Sequence, residues 1–369
     1  MFKARARRRD STPPTAGGVA VADADQAIAE ADRLQGEGDL LGAIDVLMRA
    51  GREKRDRRIE RRLVRVRHRA FKTLPPPDAA PADATVVPPD LFPDVYDRPP
   101  EVPREELDGE VVRSAITHHG CLLVRNVLDE ERVRAARAGI DRSIEALAVT
   151  RAGGRDRWYD PLDPPGRQLE KLRTWVQAYG GCLWMGDSPP MLFEVLDAYE
   201  QAGVLSAVTD YLGERPALSL EKSTLRRMPH TSDSSTWHQD GAFIGRGART
   251  LNVWVALNDC GTGAAAPGLD VIPRRFEEIL ETGAPIAGGS LRDGDDEVGH
   301  AISPDLSGRL IADTTAVRPA FKAGDGLLFD EMMPHRTGNG PEYTEDRYAL
   351  ESWFFAPSTF PGSYVPIVC

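Results

Sequence analysis

The sequence predicts an α+β fold, mainly β, in which helices buttress a β-sandwich or barrel. Two observations carry this. Helical apolar spacing dominates the first half of the chain, whereas from residue 217 onward the text turns to strand-like runs: "ALSLEKSTLRRM", "TLNVWVALNDC", "GLDVIP", "AVRPAFKAGDGLLFDEM" and "RYALESWFFAP". Helices first and strands after is the order of an α+β arrangement and not of alternating βαβ units. A chain of 369 residues with 41% hydrophobic residues can bury a sizeable core.

Taken in order, residues 1–20 hold charge, Pro, Ser and Gly with little to bury, and are expected to be a disordered tail. Residues 21–74 are expected to form a helical hairpin plus a basic helix. Ala27, Ala31 and Leu34 fall at helical spacing, "GEGD" interrupts, and Leu40, Leu41, Ile44, Leu47 and Met48 resume it. The stretch is similar to a single tetratricopeptide-type unit with no second copy, so it reads as an appendage and not an array. The third helix, "REKRDRRIERRLVRVRHRAFK" (52–72), is strongly basic, with Ile59, Leu63, Val66 and Phe71 as its apolar stripe. It reads first as a solvated face and second as a surface for nucleic acid or an acidic partner. Residues 75–104 are Pro-rich and expected to be a linker or strap. The remaining 105–369 have the texture of one enzyme domain. A helix is expected from Asp129, and an irregular stretch over 151–190.

The net charge of −11 argues against a nucleic-acid or anionic-membrane binder. Cys121, Cys182, Cys260 and Cys369 are scattered, which points to a reduced, cytoplasmic protein without a disulfide framework. The basic start leads into no apolar run, so no secretory signal is expected, and no transmembrane run appears.

The chemistry concentrates in "STWHQDGAFIG" (235–245), where His238 and Asp240 stand two apart. On a strand both side chains would share a face and reach toward one point. A third ligand is expected at His335, where the strand-like "LLFDEMM" ends in a sharp turn. Two histidines and a carboxylate form a facial triad that leaves coordination positions open, which suits non-haem Fe(II) and O₂ chemistry; a structural zinc would want a closed fourth ligand. After the Gly-rich turn, Arg347 opens the apolar strand "RYALESWFFAP". An arginine there needs an anion, and its planar fork suits the carboxylate of a metal-bound cosubstrate.

Together "WHQDG", "HRTGNG" and "RYALESWFFAP" resemble the phytanoyl-CoA dioxygenase family of Fe(II)/2-oxoglutarate oxygenases, and "GCLLVRNVLDEERVRAARAGID" is similar to that family's amino-terminal strand–helix signature. The likeness covers roughly residues 105–360. It implies a double-stranded β-helix, a cupin-like jelly roll, flanked by helices. It implies that His238, Asp240 and His335 bind Fe(II), that Arg347 and Thr337 hold the distal carboxylate of 2-oxoglutarate, and that Trp254 lines the cosubstrate pocket. Asn252 shares a strand face with Trp254 and is expected to touch the cosubstrate too. The implied reaction uses O₂, releases succinate and CO₂, and hydroxylates an unactivated C–H bond of a small-molecule substrate. One departure is "APGLDVIPRRFEEIL", where Arg274 and Arg275 stand in place of the family's usual Ser-His. The substrate therefore does not carry over.

Two other classes stand beside this one: a non-catalytic cupin-like binding module, and an interaction protein acting through helix 52–72. Residues with two readings are Trp237 and Phe243 (core or pocket wall), Arg226 and Arg227 (one of them inward), His300 (loop), and Asp330 and Glu331 (solvated or paired with helices rather than acid–base groups). The stretch 283–308 is expected to be a lid.

Overall fold

The structure is a computed structural model that describes residues 23–74, 87–232, 236–245, 247–284, 301–313 and 315–369. The expected tail 1–20, part of the Pro-rich strap, His300 and the centre of the expected lid lie outside the described residues.

Helices α1 (Ala24–Gly36), α2 (Leu40–Glu53) and α3 (Arg57–Ala70) come first. Each opens on an aspartate, Asp23, Asp39 or Asp56, whose carboxylate accepts a backbone N–H of the first turn. Their apolar stripes meet in one core that also takes in Phe193 and Val368 from the body of the protein. The basic helix α3 buries Ile59, Leu63 and Val66. Three of its seven arginines are matched by acids inside the chain. Arg58 pairs with Asp25 and Asp56, Arg61 with Asp160, and Arg62 with Asp32. Arg67 is buried and donates to the Val368 carbonyl at 2.7 Å, while His68 Nδ1 lies 2.9 Å from the Pro366 carbonyl. Much of α3 is thus a docked face and not a solvated one.

The strap contributes β1 (Glu101–Pro103), parallel to β2 (Cys121–Arg125), so sheet pairing begins inside the stretch expected to be a linker. Pro103 cannot donate to a ladder, which confines such a strand to an edge. Between them, α4 (Gly109–His119) ends at Gly120 with φ 74°, where a Cβ would lie 2.6 Å from the Arg274 carbonyl. The long α5 (Glu130–Arg151) starts from Asp129 as expected. The stretch 151–190, expected to be irregular, contains α6 (Glu170–Gly180) and β3 (Cys182–Trp184). Helix α6 has no side-chain cap at Leu169, so the usual start signal is missing. Helices α7 (Pro189–Gln201) and α8 (Val204–Leu212) follow.

From here strands dominate: β4 (Ala217–Ser219), β5 (Thr224–Met228), the short α9 (Gly241–Ile244), β6 (Thr250–Ala256), β7 (Cys260–Gly261), β8 (Gly268–Val271), β9 (Thr282–Ala284), β10 (Ala301–Ile302), α10 (Pro304–Asp313), β11 (Ala320–Phe321), β12 (Gly326–Phe329), β13 (His335–Gly338), β14 (Arg347–Phe355) and β15 (Pro366–Val368). The large sheet runs β1-β2-β12-β6-β14-β4-β15, with β5 also on β14 and β3 on β5. The pairs β8–β13, β9–β10 and β7–β11 lie apart from it, the first two linked through single bridges made by His238 to His335 and Ala301.

Strand alternation divides the core in two. On β6, Leu251, Val253 and Val255 face the helices with Val195, Leu196 and Tyr199. Trp254 and Ala256 face the other way, with Leu269, Val271 and Phe321 of the smaller pairs. The expectation "mainly β" holds only beyond Ala217. Among the described residues helix outweighs strand, and the outer face of the large sheet is covered by α5, α7 and α8. None of the described helices is long and apolar enough to cross a membrane.

Phe354 sits fully buried at the seam between sheet and helices, its ring 6.3 Å from that of Tyr199. Phe354→Ala is expected to cost about 3–5 kcal/mol. The check is a urea titration, in which a midpoint shift at unchanged slope reads the loss. A loss below about 1 kcal/mol would show that the seam is not the packed core described.

Candidate metal centre

The centre is set by backbone before side chain. His238 and His335 are reciprocal partners: His238 N–H donates to the His335 carbonyl at 3.1 Å, and His335 N–H to the His238 carbonyl at 3.0 Å. Their rings lie 4.4 Å apart, centroid to centroid. Asp240 completes the group, and one ligand atom from each of the three lies within 4.8 Å of the others. His335 and Asp240 are buried, whereas His238 is half-buried and gives the centre its open side.

Asp240 does not share a strand with His238, as the spacing suggested. It lies in αR conformation at the N-cap of α9. The chain turns immediately after His238, and the turn, not the pleat, brings the carboxylate round. Two devices hold that turn. Gln239 is buried with its Nε2 donating to the Met332 carbonyl (2.6 Å) and the Glu278 carbonyl (3.2 Å), while its Oε1 accepts from Leu280 N–H at 2.7 Å. Gly241 N–H donates to the Glu331 carbonyl at 2.9 Å, and a Cβ there would lie 2.4 Å from Ile279 Cδ1. A larger residue there would have to displace the Ile279 side chain and would press on the Glu331 carbonyl at 3.1 Å.

Whether these residues suit a metal is answered by their other contacts. His238 Nδ1 is 2.9 Å from the Thr236 carbonyl, and His335 Nδ1 is 3.1 Å from the Met333 carbonyl. A carbonyl can only accept, so each Nδ1 carries the proton and each Nε2 keeps a free lone pair. Burial, then the neighbouring His335, pushes His238 down to about 4. Burial lowers His335 as well, so both rings are neutral at pH 7. Asp240 Oδ2 is buried without a hydrogen-bond partner, and burial pushes this carboxyl up to about 6. Two neutral imidazole lone pairs and an unpartnered buried carboxylate fit a divalent cation.

Arg347 lies deep in the same core, 1% exposed. Its Nη1 donates to the Gly268 carbonyl at 3.0 Å, and its Nη2 is 3.4 Å from Thr337 Oγ1. Its Nε has no partner. Among the described residues no carboxylate forms an ion pair with it. The two candidate acids are engaged elsewhere, Glu351 by Arg226 and Asp346 by His230 and Arg227. Burial, reinforced by Arg226, pushes the Arg347 guanidinium down to about 10. Trp254 lies beside it, the guanidinium carbon 5.7 Å from the ring centroid. Asn252 is 0% exposed with neither amide atom partnered. It shares the inward face of β6 with Trp254 and stands in register with Phe329 and Trp353.

The remaining candidates separate. Arg226 is the inward member of its pair and binds Glu351, while Arg227 faces Asp141 and Asp346. Asp330 is not solvated. It is 3% exposed and paired with Arg275, so one of the two arginines in the departing stretch anchors the segment leading to His335. Glu331 bonds Thr250, and burial with Asp330 beside it lifts Glu331 to about 7. Trp237 is buried, and the Arg336 guanidinium covers its ring at 4.9 Å. Phe243 stands 6.5 Å from the His238 ring. The Arg226–Glu351 pair and the Gln239 clamp were not read from the sequence. Alternation on β5 and β14 put one arginine inward but could not name its acid.

Among solved structures, the chain is similar to EctD from S. alaskensis, crystallised with 2-oxoglutarate and 5-hydroxyectoine, at 16% identity over 67% of this chain and 75% of that one, with a TM-score of 0.45. It is also similar to EvdO2 from Micromonospora carbonacea var. aurantiaca complexed with 2-oxoglutarate, at 16% identity over 70% and 91% with a TM-score of 0.45. A third is the non-haem α-ketoglutarate-dependent carbocyclase SnoK from nogalamycin biosynthesis, at 18% identity over 69% and 87% with a TM-score of 0.43. No curated protein matches the sequence. Residues 116–273, which include His238 and Asp240, match the sequence model of the phytanoyl-CoA dioxygenase (PhyH) family. The stretch 116–273 is therefore similar to the phytanoyl-CoA dioxygenase family, and it holds two of the three members of the His–Asp–His cluster.

Proposed function

We propose that the protein hydroxylates an unactivated C–H bond of a small-molecule metabolite, with 2-oxoglutarate and O₂ as cosubstrates. The observation that carries this is the pairing of two sites in one core: a buried His–Asp–His cluster, and a buried arginine with no acid of its own. A metal-binding module without catalysis would have no use for the second. In this reading the two sheets form a double-stranded β-helix, with the triad and Arg347 both inside it.

His238, Asp240 and His335 hold Fe(II), through the two free Nε2 lone pairs and the Asp240 carboxylate. When bound, the iron and 2-oxoglutarate supply the oxidising chemistry, with decarboxylation to succinate and CO₂. The chain's own residues bind, orient and exclude water. Arg347 takes the far carboxylate of 2-oxoglutarate through a charge-assisted contact, with Thr337 Oγ1 beside it. Trp254 walls that pocket, and Asn252 offers its unpartnered amide to the cosubstrate. Phe243, whose ring stands 6.5 Å from that of His238, lines the approach of the substrate in this reading. The four cysteines are buried and no disulfide joins them, which agrees with a reducing cytoplasmic setting.

The test is a screen for substrate-stimulated succinate release after anaerobic loading with Fe(II) and 2-oxoglutarate. Loading should give a weak visible charge-transfer band that His238→Ala and His335→Ala abolish. Iron binding by both variants equal to the parent's would rule out the ligand assignment.

Arg347→Ala is expected to weaken 2-oxoglutarate by about 2–5 kcal/mol, which is roughly 30-fold to several-thousand-fold, while leaving metal binding largely intact. An unchanged cosubstrate dissociation constant would remove the role.

Metal affinity should depend on pH with a definite sign. Asp240 titrates near 6 in the folded protein, so above that pH it is ionised and competes with no proton. Below it, one proton must leave for the metal to bind, and affinity should fall roughly tenfold per pH unit. Asp240→Asn should bind more weakly and lose that slope. Metal titrations from pH 5 to 8 decide it, and a flat profile in the parent would count against Asp240 as a ligand.

A further inference from the structure

A second site lies where the amino-terminal helices meet the body of the protein. A cleft of about 600 Å³ opens between α3 and the segment after α5, and its wall includes Arg57, Arg58, Arg61, Arg155 and Arg157. Against these five arginines stand two acids, Asp156 and Asp160. Asp25, Asp56 and Glu60 also pair with arginines of this wall, so the cleft offers not a net charge but two guanidinium groups without an acid among the described residues, Arg57 and Arg155. The cations in the wall are all arginine and none is lysine.

The five divide into two kinds. Three are held in place: Arg58 by Asp25 and Asp56, Arg61 by Asp160 at 2.6 Å, and Arg157 by Glu60 at 3.2 Å. The last two pairs cross the cleft, joining α3 to the body. Arg57 and Arg155 are exposed, and among the described residues neither has an ion pair or hydrogen-bond partner for its side chain. The wall also contains the first residues of two helices, Arg57 of α3 and Pro189 of α7, whose positive dipole ends add to the charge. Asp56 at the α3 cap opposes this, but its carboxylate is already shared between Arg58 N–H at 2.7 Å and the Arg58 guanidinium. The ring of Tyr159 supplies an apolar wall.

We propose that this cleft binds a small ligand carrying a di- or polyphosphate group, such as a nucleoside diphosphate. Its volume falls in the range of small-molecule sites. Guanidinium forks engage phosphate oxygens two at a time, and two unpartnered forks beside three fixed ones match more than one phosphate. A walled cleft suits a compact anion better than it suits a nucleic-acid backbone, which needs an extended track. None of the lining residues comes from the segments that carry the triad or Arg347, so the inference stands apart from the proposed reaction. Because the wall spans α3 and the body, a bound polyphosphate would also clamp the two together.

Calorimetric titration of the metal-free full-length protein in about 0.15 M salt tests it, with ADP, inorganic pyrophosphate, inorganic phosphate and a short duplex oligonucleotide as probes. ADP and pyrophosphate should each saturate one site with a Kd below about 0.1 mM, and phosphate should bind at least roughly tenfold more weakly. The double variant Arg57→Ala/Arg155→Ala, and separately Arg155→Glu, should lose at least about tenfold in ADP affinity while binding 2-oxoglutarate like the parent. Both positions are exposed and unpartnered, so the fold should survive, as an unchanged melting temperature without ligand would confirm. The proposal falls if neither ADP nor pyrophosphate binds, if the variants bind them as the parent does, if phosphate matches pyrophosphate, or if the oligonucleotide binds more tightly than ADP.

Discussion

Two backbone hydrogen bonds, exchanged between His238 and His335, govern the rest of the centre. They join residues almost a hundred positions apart into a single antiparallel bridge. With that bridge made, the two imidazoles have no freedom to separate, and the carbonyls of Thr236 and Met333 fix which nitrogen each presents. The Gln239 amide then binds the turn after His238 to the stretch before His335. Placement is thus a property of main-chain pairing.

The second constraint is electrostatic. The large sheet presents a charged residue inward at several places where an ordinary core would hold only apolar ones. Glu351 and Arg226 resolve theirs by pairing, and Asp330 and Arg275 do the same. Among the described residues, Asp240 Oδ2 and Arg347 Nε have no hydrogen-bond partner. Opposite charges left separately unsatisfied in one interior cost stability unless ligands bind there, since an isolated buried charge is far more expensive than a buried pair. The proposed metal and the far carboxylate of the proposed cosubstrate would relieve both.

Much of this was legible in the sequence because it rests on local patterns. The aspartate caps, the alternation of β6 and β14, and the arginine opening an apolar strand are all short-range signals. What was not legible depends on pairing across distance. Asp240 was expected on a strand because HxD spacing matches the pleat, whereas a turn reinforced by Gln239 and Gly241 delivers it instead. Helix α6 carries no cap residue, and β1 lies in Pro-rich text, so both escaped notice. The basic composition of α3 suggested a solvated face, but acids scattered from Asp25 to Glu194 pair with several arginines of α3 and of the turn leading into it. No local window holds those partners together.

The docking of α3 has a consequence for the order in which the molecule assembles. Arg67 reaches the Val368 carbonyl, a contact spanning 301 residues, and Val368 itself completes the core of the first three helices. The hairpin of α1 and α2 is built from near neighbours and can form as soon as it emerges from the ribosome. The surface that α3 covers is shared between α7 and β15, so it is complete only once β15 has joined β4 at the edge of the large sheet. The helix α3 is therefore fully placed only after a strand 301 residues away is in position. Until then part of its apolar stripe lacks the surface that buries it.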